Sequence, residues 1–230
     1  MTPASQGRLA LFDLDNTLIP IDSDVAWAQH LVDLGVVERD WYSRRNDYFY
    51  EQYKAGTLDI HEFLDFQLAP LAAHPPEQLK AWRDDFMATR IRPHLTTAAQ
   101  ALVDEHLEAG DLVAIVTATN TFITAPIAEA FGIAHLIGTD LEKTPQGQFT
   151  GKPLGLPCFQ AGKIVRVAQW LATRDTAIEE FETSFFYSDS RNDLPLMGRV
   201  THPVAVNPDA TLEAHAKAEG WPVILLPSEL

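Results

Sequence analysis

Asp13 and Asp15 stand two positions apart at the end of a short apolar run, 9–12, in the segment Leu11-Phe12-Asp13-Leu14-Asp15-Asn16-Thr17-Leu18. Such a run suits a buried strand, and two carboxylates at its far end are costly to bury unless a cation or a hydrogen-bond network meets them. Extended backbone would point both side chains the same way, whereas a turn just after Asp13 would leave each to a separate task. An Asp-Asn-Thr turn capping a helix accounts for the isolated pattern equally well.

Three further segments follow expected strands and so reach the same edge of a sheet. Thr117, in Val116-Thr117-Ala118-Thr119-Asn120, offers a hydroxyl to a phosphate oxygen, and amides opening the next helix suit the same charge. Alone it reads as a helix cap. Lys163 comes early in the helical stretch after Gln160-Ala161-Gly162, where a cation opposes the helix dipole unless anions pair with it. Lys152, in Gly151-Lys152-Pro153, competes for that role, and a solvated lysine is the plainer reading of either. In Phe186-Tyr187-Ser188-Asp189-Ser190-Arg191-Asn192-Asp193-Leu194, Asp189 ends an apolar run and Asp193 follows where a helix could begin. Clustered carboxylate oxygens with waters are what Mg²⁺ prefers. Helix capping explains Asp193 but not Asp189.

These residues need a frame that brings strand ends together. Apolar, β-rich runs at 9–12, 112–116, 184–187, 203–206 and 223–226 read as buried parallel strands. Capped helical patterns lie between most of them: one from Thr96 or Thr97 to Gly110, one from Thr121 to Gly132, one over 161–174. The alternation predicts a doubly wound α/β fold with a Rossmann-like parallel sheet. Residues 23–92 break the rhythm, with helical patterns at 24–37, 41–54, 59–68 and 76–89 and no convincing strand. The expected division is a core of 1–20 and 93–230 and a helical cap of 21–92 over the carboxyl ends of the strands, where such sheets bind ligands. The cap's aromatic stripe, Trp41, Tyr42, Tyr48, Phe49, Tyr50 and Tyr53, reads as packing. Pro145, Gln146 and Gly147 predict the turn of a hairpin over 136–150.

Composition limits the partners. A chain of 230 residues with 46% hydrophobic and 21% charged residues can bury a core. With 17 Lys and Arg against 32 Asp and Glu, its formal charge of -15 repels nucleic acid and anionic membranes, so an anionic substrate needs a cation or placed lysines. Cys158 stands alone and the first apolar stretch is broken by Asp13 and Asp15, which together point to a soluble, cytoplasmic protein without a secretory leader. Oligomeric state is not readable.

The ordered set of motifs, Asp13-x-Asp15-x-Thr17, Thr117, Lys163 and Asp189 to Asp193, resembles the haloacid dehalogenase superfamily. The likeness spans nearly the whole chain and is nearest to the phosphatase branch of subfamily IB, the phosphoserine phosphatase-like group. Ser188 stands where that family has Gly before its Asp. The resemblance implies an Mg²⁺-dependent phosphomonoester hydrolase in which Asp13 attacks phosphorus to give an aspartyl-phosphate. It further implies that Asp15 moves protons, that Thr117 and the amides near Leu14 and Ala118 hold phosphoryl oxygens, and that Lys163 offsets their charge. The metal would take the Asp13 carboxylate, the Asp15 carbonyl and Asp189, with Asp193 in its first or second shell.

For the substrate, the group's acidic cap residue that holds an amine is matched by Asp22 or Asp24, and Asn192 lies in the last motif. Its carboxylate-binding arginine is replaced by Gln67, and Arg44 and Arg45 read as solvated. A phosphoamine without a carboxylate, such as histidinol phosphate or phosphoethanolamine, suits this set better than phosphoserine. The other classes are a phosphotransferase or phosphomutase of the same superfamily, and a phospho-aspartate signalling domain that does not turn over, which would lack Asp15 and the cap.

Overall fold

Leu9, Ala10, Leu11 and Phe12 are wholly buried, because the strand they form is covered on both faces. This strand, β1 (Gln6–Phe12), is central in a six-stranded parallel sheet of the computed structural model, which describes residues 6–227. The ends of the expected core, 1–5 and 228–230, lie outside the described residues. The other strands are β2 (Leu112–Asn120), β3 (His135–Thr139), β6 (Phe181–Ser188), β7 (His202–Val206) and β8 (Val223–Ile224), in the order β3-β2-β1-β6-β7-β8. Chain direction across the sheet reverses between β1 and β6. The crevice beyond their carboxyl ends is therefore where this topology leaves room for a ligand.

Period-two alternation sends β1 side chains to two different cores. Ala10 and Phe12 pack with Val103 of α5 (Thr97–Glu108) and Ile123 and Ile127 of α6 (Thr121–Ala130). Leu9 and Leu11 pack with Val167 and Leu171 of α7 (Ala161–Ala172), Leu196 of α8 (Leu194–Met197) and Leu212 of α9 (Ala210–Glu219). Helices on both faces make the fold doubly wound.

Four helices separate β1 from α5: α1 (Ser23–Asp33), α2 (Arg39–Ala55), α3 (Ile60–Ala73) and α4 (Pro76–Phe86). Asp22, Glu38 and Asp59 cap the first three, each side chain accepting backbone N–H groups of the first turn. The helix expected over 24–37 stops at Asp33, because Gly35 takes a left-handed φ of 69° and reverses the chain. After α4 the chain loosens into a π-helical turn, Met87–Ile91, and tightens to a 3-10 turn, Arg92–His94, where Pro93 lacks the N–H to continue a ladder.

Two expectations need correction. Residues 136–139 do not belong to a hairpin; they lie in β3, paired in parallel with β2 at the sheet edge. The hairpin is shorter, β4 (Leu141–Lys143) with β5 (Phe149–Pro153), and packs on α3, where the Gln148 side chain donates to the His74 carbonyl at 2.6 Å. A turn signal marks a reversal but not how far the strands extend. The aromatic stripe is also not packing alone: Tyr42 and Phe49 are buried, whereas Trp41 and Tyr48 are exposed and Phe49, Tyr50 and Tyr53 line the central cavity. No helix among the described residues is long and apolar enough to cross a membrane.

The start of α7 tolerates no side chain at Gly162. An added Cβ would sit 2.3 Å from the Pro157 carbonyl oxygen. Gly162→Ala is expected to cost about 1–3 kcal/mol through overpacking, lowering Tm by roughly 2–4 °C per kcal/mol in a chain of this size. An unchanged melting curve would mean that the 157–162 turn yields freely.

Candidate active site

Asp13 is the first residue beyond β1, and its backbone N–H donates to the Tyr187 carbonyl of β6 at 2.9 Å, so the strand pairing itself fixes its position. The chain then turns through Asn16, whose φ of 58° is a left-handed conformation that Asn tolerates better than most residues. The two carboxylates, both ahead of that turn, meet different partners. Asp13 Oδ1 accepts from Lys163 Nζ at 2.8 Å. Asp15 faces the other way: its Oδ1 accepts from the Ser23 N–H at 2.7 Å and its Oδ2 from Thr119 Oγ1 at 2.8 Å, with Thr117 Oγ1 at 3.4 Å.

Lys163, in the first turn of α7, is 3% exposed and places Nζ 2.8 Å from carboxylate oxygens of both Asp13 and Asp193. These two anions answer why a cation stands at a helix N-terminus. Asp193 makes no capping bond of its own; it accepts from Ser188 Oγ at 2.6 Å as well as from Lys163. Asp189 is tied to the first loop through Thr17, whose Oγ1 donates to Asp189 Oδ1 at 3.1 Å and accepts from the Asp189 N–H at 3.0 Å.

Asp13, Asp15, Asp22, Asp24, Thr117, Ala118, Lys163, Asn192 and Asp193 all line one cavity beneath the four helices. Lys152 is exposed on β5 and does not line it. Arg44 and Arg45 do not line it either; Arg45 pairs with Glu62 at 2.6 Å. Asn192 bridges core and helices, accepting from Gln160 Nε2 and donating to the Tyr53 carbonyl, both at 3.1 Å. Gln67 is held in the wall, accepting from the Tyr42 hydroxyl at 3.1 Å and reaching the Asp24 carbonyl at 3.4 Å.

Four contributors have no role that the sequence alone assigns: Thr17 and Ser188 stand only as motif positions, Tyr53 as part of the packing stripe, and Thr119 as a neighbour of Thr117. The partners of Thr17, Thr119 and Tyr53 lie far along the chain, 172 positions for Thr17 and Asp189, so no local spacing marks them, whereas Ser188 meets Asp193 five positions on.

The electrostatics are those of an anionic pocket short of positive charge. Burial pushes the Asp13 carboxyl up to about 7, with Lys163 pulling it down and Asp193 pushing it up. Burial, then the charge of Asp22, raises Asp15 to about 6. Asp24 and Asp189 lie well above the ordinary carboxylate value, burial being the main cause and neighbouring carboxylates the next. Burial opposes the charge of Lys163, but Asp13 and Asp193 outweigh it and hold the ammonium well above the usual lysine value.

Such a donor set suits a hard divalent cation. Among the described residues no three His, Cys, Asp or Glu side chains form a metal cage of their own. Mg²⁺ does not require one, since it is commonly held by one or two carboxylates with waters and substrate phosphate. Asp13 and Asp189, both raised chiefly by burial and further by neighbouring carboxylates, are groups that a cation would relieve.

That crowding predicts a pH signature in metal-free protein. Folded Asp13 and Asp15 hold protons up to about 7 and about 6, against an ordinary value of 3.8, so the folded state binds more protons than the unfolded one in this window. Their contribution to stability is present at low pH and lost as pH rises through the folded values. Asp189→Asn removes one charge from the cluster, so its Tm relative to the wild type should be more favourable at pH 8 than at pH 6 in excess chelator. Parallel Tm profiles would mean that the cluster is not repulsive.

The chain matches known proteins over most of its length. A sequence model for haloacid dehalogenase-like hydrolases covers residues 10–198. A histidinol-phosphatase of Neisseria meningitidis is 48% identical over 217 residues, 94% of this chain and 98% of that protein. A phosphoserine phosphatase of Mycobacterium tuberculosis is 30% identical, over 96% of this chain and 71% of its own. Among solved structures, a Bordetella pertussis protein of unknown function superposes with a TM-score of 0.90 at 51% identity, covering 95% of this chain and 98% of that one. A phosphoserine phosphatase solved as a phospho-aspartyl intermediate analogue shares the fold at 18% identity and a TM-score of 0.69, over 97% of this chain and 95% of that one. The chain thus belongs to the haloacid dehalogenase-like hydrolases, in their phosphatase branch.

Proposed function

We propose that the protein is an Mg²⁺-dependent phosphomonoesterase that works through an aspartyl-phosphate on Asp13 and takes histidinol phosphate, or a close phosphoamine, as substrate. The observation that carries this reading is the separation of Asp13, paired with Lys163, from Asp15, held by Ser23 and Thr119. Two carboxylates so divided can attack and move protons independently.

In the first step an Asp13 oxygen forms a bond to phosphorus as the bond to the leaving oxygen breaks, and Asp15 gives its proton to the departing alkoxide. A carboxyl raised to about 6 retains a proton in part near neutrality, which suits an acid. In the second step Asp15 takes a proton from water as that water attacks phosphorus and frees Asp13. Thr117 and the amides near Leu14 and Ala118 are suited to hold phosphoryl oxygens, and Lys163 offsets charge and orients Asp13. Asp13, the Asp15 carbonyl and Asp189 would hold Mg²⁺, with Asp193 acting directly or through Lys163; the cation supplies charge neutralisation for the phosphoryl group.

The cavity's chemistry supports the substrate reading. Among its described lining residues Lys163 is the one cation, already shared by two carboxylates, so a substrate carboxylate would find no partner. A nitrogen would find several. Asp22 and Asp24 line the cavity, Asp24 Oδ1 is buried without a hydrogen-bond partner among the described residues, and Phe49, Tyr50, Phe63 and Phe159 offer apolar faces to a planar ring. The name of the relative at 48% identity agrees with a ring nitrogen. Residues 21–92 would act as the cap domain supplying this recognition, and 1–20 with 93–230 as the catalytic core. The single Cys158, unpaired and buried, is consistent with a cytoplasmic enzyme.

Asp13→Asn should abolish phosphate release while leaving the melting transition cooperative; turnover in that variant would sink the mechanism. Chelation should stop the wild type, and Mg²⁺ should restore it. On substrate, kcat/KM for histidinol phosphate should exceed that for phosphoserine. The reverse order would overturn the assignment to carboxylate-free phosphoamines.

A further inference from the structure

Thr119 stands where two acidic walls meet. Its side chain is buried at 4% exposure, and its Oγ1 lies 2.8 Å from Asp15 Oδ2 and 3.2 Å from Asp24 Oδ2. Its backbone N–H donates to Thr117 Oγ1 at 3.1 Å, which fixes the irregular last stretch of β2 that carries it. A hydroxyl has one proton, so it can donate to only one of two carboxyl groups. Burial, with Asp22 and Asp15 nearby, holds the Asp24 carboxyl well above the ordinary range. The Thr119 hydroxyl, nearer to Asp15 than to Asp24, thus links the two carboxyl groups in a chain from Asp24 to Thr119 to Asp15.

The other end of Asp15 is fixed from the same helix. Ser23, next to Asp24 at the start of α1, donates its N–H to Asp15 Oδ1 at 2.7 Å. One helical turn therefore touches the Asp15 carboxyl twice, directly through Ser23 and through Thr119 from Asp24. Asp24 also lines the cavity, and its Oδ1 is buried without a hydrogen-bond partner among the described residues.

We infer that Thr119 is a positioning residue that couples recognition of the substrate nitrogen by Asp24 to the orientation of Asp15. An N–H bound at Asp24 Oδ1 fixes that carboxyl, which fixes the Thr119 hydroxyl, which aims Asp15 at the leaving oxygen. The inference rests on the reading of Asp15 as the acid, and it assigns work to a residue that the local motif does not single out.

Leaving-group dependence separates this role from simple support of the fold. The quantity kcat/KM counts only steps up to departure of the leaving group; p-nitrophenolate departs without a proton, whereas an alkoxide requires one. The wild type, Thr119→Val, Thr119→Ser and Asp15→Asn are compared with Mg²⁺ on histidinol phosphate, glycerol phosphate and p-nitrophenyl phosphate. Thr119→Ala is a second deletion of the hydroxyl should the Val variant fold poorly.

Removing the acid itself should cost the alkyl esters about 10²–10⁴-fold. Thr119→Val should cost them less, about 10–100-fold, with under about threefold on the aryl ester, and Thr119→Ser should restore activity. The preference for histidinol phosphate over glycerol phosphate should shrink by about threefold or more in Thr119→Val. Equal losses on alkyl and aryl esters, or no loss, would overturn the inference while an alkyl-specific loss in Asp15→Asn kept the acid assignment. An unchanged preference would overturn the coupling. If Asp15→Asn itself loses equally on all three esters, the acid assignment fails and takes the inference with it.

Discussion

Lys163 holds the arrangement together by standing between two buried carboxylates that could not otherwise share the pocket. Its ammonium lies 2.8 Å from Asp13 at the end of β1 and 2.8 Å from Asp193 beyond β6, the two strands flanking the reversal in the sheet. Breaking a buried pair by removing one partner is strongly destabilising, because it leaves charge in low dielectric without compensation. Here one removal would leave two such charges. The close fit of Gly162 against Pro157 has the same purpose, since it sets the turn of α7 that presents Lys163.

One lysine does not neutralise the site. Asp15, Asp24 and Asp189 remain, all raised chiefly by burial. The protein sustains this imbalance by dividing the carboxylates among different partners: Asp189 with Thr17, Asp193 with Ser188, Asp15 with Ser23 and Thr119. The proposed divalent cation, phosphoryl group and substrate nitrogen are ligands that would relieve such a pocket.

The four helices do more than cover that pocket. Through Ser23 and Asp24 they reach the Asp15 carboxyl, and through the Tyr53 carbonyl they are fastened to Asn192 in the loop after β6. Tyr53 Oη also lies 3.3 Å from Ser190 Oγ. The helices and the core residues of the pocket therefore share hydrogen bonds, and do not merely face one another across a gap.

The sequence by itself located most of the strands and the chemical types gathered near their carboxyl ends, although β2 runs past the expected 112–116 to Asn120. Asp13, Thr117 and Asp189 each follow an apolar run, and a run buried on both faces has few alternatives to a parallel strand. The helical character of 23–92 was equally legible from its periodicity and caps, as was Lys163 as a cation out of place on a helix dipole. Only the tertiary structure decided which lysine meets Asp13, that β3 joins the sheet edge and leaves a shorter hairpin behind, and that part of the aromatic stripe is cavity wall. It alone joined Thr119 to both Asp15 and Asp24, residues 104 and 95 positions away. The physical reason is one of range: strand and helix patterns are local properties of backbone and side-chain polarity, whereas a hydrogen bond between distant residues exists only once the packed core has set their distance.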